Sequence, residues 1–184
     1  MNAELEGYLD QLLSIRQSAP GLVAGLRSAA FNWKPAPARW SLAQCFRHLN
    51  ETARNSLPVL ETAIIDAHAH NLKGDGPFAY PLLERLFVWG MENRPPIPRE
   101  GSKGRPAHAR GLYRRRHDKM AYQDRLAELI TAADGLDLRR TRHKSPAIPL
   151  FTYSLGTSFA ATLAHERRHL WQARQVRTAP SFPA

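Results

Sequence analysis

His165 and His169 stand four residues apart in the last fifth of the chain. On a helix that spacing sets two imidazoles one turn apart and about 40° around the axis, an arrangement that suits a single metal ion. Ser158, Ala161, Thr162, Gln172 and Val176 fall on the same side. Small and hydrogen-bonding side chains stand where a plain core stripe would carry leucines, so the pattern describes a polar pocket better than dry packing. Residues 165–169 also spell HERRH, a literal match to the zinc-protease motif in which Glu166 would activate water. That reading fails on its third ligand. The 15 residues after His169 hold no histidine, aspartate or glutamate, and Gln172 and Gln175 occupy the positions near which the extended motif needs a histidine.

A third imidazole must come from earlier in the chain, and the segment that opens at Ser41 offers His48, two turns into a helix. Trp40-Ser41, His48-Leu49 and His165-x-x-x-His169-Leu170-x-Gln172 together resemble the DinB-like and YfiT-like superfamily of bacterial proteins. The resemblance spans nearly the whole chain and extends to the order of elements. A broken first helix and a lead of proline, tryptophan and serine come first. The second helix, a proline-rich insert, a third helix and a closing helix with the histidine pair follow. It implies an all-α fold, a DinB-like four-helix bundle of the up-down-down-up type with extra short helices and long loops. It further implies that His48, His165 and His169 hold a divalent metal, and that the chain pairs as a homodimer. Characterised members include transferases and isomerases that use low-molecular-weight thiols such as bacillithiol and mycothiol.

Three neutral imidazoles leave an open position on zinc or nickel. Water bound there has its pKa lowered toward ~7 and becomes a base or nucleophile. A substrate thiol can instead bind as thiolate and attack an electrophile, giving a thiol S-transferase where the first chemistry gives a hydrolase. Glu51, one turn beyond His48, is the candidate catalytic group, as a hydrogen-bond acceptor behind the metal ligands or a general base, against the plainer reading of an exposed helix acid. Cys45 reads as a small buried hydrophobe rather than a nucleophile. Glu166 reads as a salt-bridge partner of a neighbouring helix, and Gln172 can orient a ligand one turn beyond His169. His68, His70, His108, His117 and His143 have no partner at metal spacing and read as surface.

The elements that must position these residues follow from apolar periodicity. Leu5, Tyr8, Leu9, Leu12 and Leu13 form a first helical stripe that breaks near Pro20 and Gly21, and a short helix with Leu22, Val23 and Leu26 follows. Phe31 to Arg39, with Pro35 and Pro37, reads as an extended connector. Ser41 and Gln44 make a capping box, from which a helix should run toward His70, kinked or interrupted at Pro58. Gly74 to Pro77 closes it, Leu82 to Glu92 forms a short helix, and Arg94 to Gly111 is too rich in proline and glycine for regular structure. Helix returns from Leu112, stops at Gly135, and gives way to a loop through Pro149. The last helix runs from Tyr153 or Ser154 to Arg177. No segment alternates with period two, which points to an all-α architecture.

At 184 residues, 43% apolar and 23% charged, the chain reads as one globular domain, 1–184. The stretch 74–111 is a basic, proline-rich insert long enough to act as a lid. A lone cysteine and no leading signal run point to the cytoplasm. The longest apolar runs fall far short of the ~20 residues of a membrane span. The net charge is +10, carried largely by Arg94 to Arg116 and Arg139 to Lys144. Neither segment has zinc-finger spacing or aromatic-rich strands, so nucleic acid is not the expected partner. The rival reading is a non-enzymatic binding protein that uses those basic loops for nucleic acid or a protein partner. An apolar side with Leu82, Leu86 and Val88 could supply the dimer contact.

Overall fold

The computed structural model describes residues 1–93, 109–146, 148 and 150–183, and of residues 109–120 the backbone course alone. Four long helices make the bundle: α1 (Ala3–Ser18), α4 (Leu42–Ala69), α6 (Ala109–Ala132) and α7 (Leu155–Arg177). The short α2 (Pro20–Val23) and α3 (Ser28–Asn32) lie between the first two. A further helix, α5 (Leu82–Asn93), precedes α6, and the strands β1 (Arg142–Lys144) and β2 (Thr152–Ser154) precede α7.

Side-chain bridges fix the directions. Asn2 reaches Asp134 and Arg16 reaches Asp124, so α1 and α6 are antiparallel. Arg54 meets Tyr122 and His68 meets Ala132, so α4 runs parallel to α6. Tyr8 meets Gly156 and Gln11 meets Arg167, so α7 runs parallel to α1. The result is up-down-down-up. The parallel pair α4 and α6 needs a long crossover, and α5 lies within it, packed against α7.

Local chemistry explains most boundaries. Asn2 caps α1 by accepting from Leu5 N at 3.0 Å. Leu5, Tyr8, Leu12 and Ile15 are the buried stripe; Leu13, expected on it, is 54% exposed, and Ile15 takes the inward position. Phe31, expected in an extended connector, is buried in α3, which shortens that connector. The capping box is present, with Gln44 N on Ser41 Oγ at 3.2 Å and Ser41 N on Gln44 Oε1 at 2.9 Å.

Pro58 does not interrupt α4. Leu57, Leu60, Ala63, Ile64 and Ala67 bury one face around it, and that packing outweighs the ~3 kcal/mol a helical proline costs. Asn71, with a φ of 50°, turns the chain just after α4, earlier than the Gly74–Pro77 stretch expected to do so. Gly135 stops α6 as expected, at a φ of 74°.

Two further expectations need correction. Helix α6 begins at Ala109, three residues before Leu112, while residues 94–108 of the stretch 74–111 expected as a lid lie outside those described. The loop before α7 holds a two-stranded antiparallel ladder, with Arg142 opposite Ser154, His143 opposite Tyr153 and Lys144 opposite Thr152. Three-residue strands are too short to show alternation in sequence, and tertiary contacts decide them.

Glu84 ties this end together. It is 3% exposed and accepts from Ser154 Oγ and Thr157 Oγ1, both at 2.6 Å, and from Arg142 Nη1 at 2.8 Å. Burial alone would raise its pKa, but these hydrogen bonds outweigh burial and hold it below the ordinary carboxylate value. Ser154 also caps α7 through Thr157 N, so one carboxylate joins α5, β1 and the start of α7, where the helix dipole favours a negative charge. Glu84→Ala should destabilise the fold by about 3 kcal/mol in urea unfolding, because it removes the shared acceptor of two buried hydroxyls and of Arg142. Glu84→Gln should cost less. The contribution of Glu84 is present above the ordinary carboxylate pKa and disappears as pH falls through its lower folded value.

Candidate metal centre

The antiparallel crossing of α4 and α7 brings the second turn of one helix beside the later turns of the other. His48 Nε2 lies 3.1 Å from His165 Nε2. Ring centroids are 5.0 Å apart for His48 and His165, 4.6 Å for His48 and His169, and 4.5 Å for His165 and His169. One nitrogen from each ring falls within 4.8 Å of the other two. Two nitrogens on a tetrahedral ion at 2.0 to 2.1 Å stand about 3.3 Å apart, so the His48–His165 separation is already at ligand distance.

The charge state fits as well. His165 is pushed down to about 4 by burial, then by His48 and Arg168. His169 is pushed down to about 2 by burial, His165 and His48, with the neighbouring Gln172 amide opposing. Both rings are therefore neutral near pH 7 and offer lone pairs. His169 Nδ1 is buried with no hydrogen-bond partner, an orphaned donor or acceptor of the kind that costs ~1 to 3 kcal/mol unless something binds it.

Trp40 closes one side. Its indole stacks on His169 at 5.5 Å and 15°, and meets His48 edge-on at 5.2 Å and 71°. The tryptophan belongs to the sequence pattern, but its contact with two of the three imidazoles does not follow from spacing. Its place immediately before the Ser41 cap, where an apolar residue packs back on the helix start, was the available signal.

The other candidates are placed as follows. Glu51 has a side chain 58% exposed, 3.8 Å from Arg47, and is not among the groups whose ligand atoms converge. Glu166 reaches the neighbouring helix α6, accepting from Gln123 Nε2 at 2.7 Å; both residues are buried. Cys45 is 1% exposed, and burial pushes its thiol up to about 12, which suits an inert packing role. His68 and His70 are exposed, as expected, whereas His117 has no described side chain and His108 lies outside the described residues.

His143 is a correction: it is half-buried, with Nε2 2.6 Å from Ser158 Oγ and Nδ1 donating to Lys144 O at 3.0 Å. The β1–β2 ladder turns it inward, which sequence spacing does not register. Ser158, placed with the histidine pair on one helix face, belongs to this separate contact two turns away.

A family model described as the DinB superfamily matches residues 11–173. The chain belongs to the DinB superfamily. No curated protein and no solved structure matches it. Membership accounts for the bundle and its helix order, and this DinB superfamily chain adds three imidazoles with a donor set suited to zinc, nickel, copper or iron.

Two measurements follow. An unfolded chain takes up protons on His165 and His169 near 6.5, whereas the folded rings stay neutral to about 4 and about 2. The metal-free protein should therefore lose stability as pH falls from about 6.5 toward 4, by up to ~1.4 kcal/mol per pH unit and group. Urea unfolding at about pH 7 and about pH 5 should show the loss, and His165→Phe should reduce it, leaving the share due to His169. Trp40→Ala should weaken zinc or nickel binding by roughly tenfold or more in competition with a chelator, with Trp40→Phe closer to wild type.

Proposed function

We propose that this DinB superfamily chain is a divalent-metal-dependent enzyme acting on a small molecule, either as a thiol S-transferase or as a hydrolase. His48, His165 and His169 are its ligands. The observation that carries the reading is the convergence of three imidazole nitrogens within 4.8 Å of one another. A bound zinc or nickel ion would supply a Lewis-acid position at which a thiol or water gives up its proton near neutral pH.

The chain's own residues would prepare that position. Burial keeps His165 and His169 unprotonated, and Trp40 shields two of the rings from solvent on one side. Glu51, exposed one turn beyond His48, is in this reading the group that carries the released proton to solvent. A low-molecular-weight thiol is the proposed co-substrate of the transferase. The cytoplasm, where thiols stay reduced, is the proposed compartment; no helix among the described residues is long and apolar enough to cross a membrane. The apolar side of α5, with Leu82 at 65% and Leu86 at 52% exposure, is the proposed contact between two copies.

Elemental analysis of protein purified without an affinity tag tests the ligands. Wild type should carry close to one zinc or nickel per chain and His48→Ala almost none; equal metal in both would rule out the His48 assignment. Metal-loaded wild type should then turn over a thiol with an electrophile, or hydrolyse an ester or amide, in a panel on which His48→Ala is silent.

A further inference from the structure

A second recess lies along the other half of α4. Between Pro58 and His70 one side of the helix faces Leu72 and residues 141–143 across a cavity of ≈ 470 Å³. At 1.5 Å per residue Asp66 is about 27 Å along α4 from His48, so this recess and the imidazole cluster are separate places. Pro58, Val59, Ala63 and Leu72 give it apolar walls.

Two of the residues that line it turn their polar atoms to other partners: Arg142 gives Nη1 to Glu84 and Nη2 to Thr152 O, and His143 uses both ring nitrogens on Lys144 O and Ser158. Asp66, His70 and Thr141 keep polar atoms open. The Asp66 carboxylate has no hydrogen bond or ion pair among the described residues. His70 Nδ1 faces the Asp66 backbone carbonyl at 2.8 Å and must donate there, which leaves Nε2 without a partner among the described residues. Thr141 is 2% exposed and its Oγ1 is buried with no partner. Asp66 also lies in the last turn of α4, where the helix dipole adds negative potential.

We propose that this recess binds a small organic cation, a primary ammonium on an alkyl or aryl body. The N–H groups would sit on the Asp66 carboxylate and His70 Nε2, and the body on the apolar wall. On a chain of net charge +10, a carboxylate with no ion pair among the described residues, set beside an apolar wall, is a local place for a cation. The metal assignment plays no part in the proposal.

Benzylamine against benzyl alcohol, titrated by 1H–15N NMR, tests it, because the two share a body and differ in charge. Benzylamine should give saturable shifts over the second half of α4 and β1. Its affinity should exceed that of benzyl alcohol at least about tenfold and fall with added salt. Asp66→Asn, an exposed substitution whose fold the same spectra check, should lose that advantage while leaving metal content unchanged. Equal affinity for the two probes, undiminished benzylamine binding in Asp66→Asn, or no saturable shift at millimolar benzylamine would each overturn the proposal. So would shifts centred on His48, His165 and His169.

Discussion

The structure depends on taking His165 and His169 out of water, beside His48, without letting the two charge. Two helices from distant parts of the chain cross so that His48, His165 and His169 face one another, and the burial that produces the crossing also depresses the pKa of His165 and His169. A cluster of imidazoles at this separation is unfavourable if protonated, because like charges would sit a few ångströms apart in a poorly solvated place. Neutral rings remove the repulsion but leave lone pairs aimed at a common region. Apolar burial builds the arrangement, and its chemical potential is the residue of that burial.

The opposite end of α7 is held by a different kind of force. There Glu84 collects hydroxyl, backbone and guanidinium donors at a helix start, so polar satisfaction fixes α5 and the β1–β2 ladder where shape packing alone would leave them loosely seated. Helix α7 is thus anchored at its first turn by a buried anion and presents its imidazoles nearly three turns later. The two regions share one rigid element, and an error in the first would displace the second.

Much of this was legible in the residues. Ser41 and Gln44 predicted where α4 begins because capping chemistry is local, and Gly135 predicted where α6 ends because left-handed backbone favours glycine. The histidine pair was readable from helical period, and its third partner from the joint pattern with Trp40-Ser41. The failures share a cause. Leu13 against Ile15, the continuity of α4 through Pro58, the inward turn of His143 and the two short strands were decided by neighbours distant in sequence, which no local window contains. Glu84 is the clearest case: an acid in a short helix gives no sign that four donors from three later residues will enclose it.

Cys45, the lone cysteine of the chain, lies sealed against α4's packing with its thiol held far from ionisation. Maleimide and iodoacetamide reagents require an accessible thiolate. A cysteine introduced on any outward position would therefore react alone in the native state, so fluorescent dyes or spin labels can be attached to this bundle at a chosen point with the native sulfur left in place.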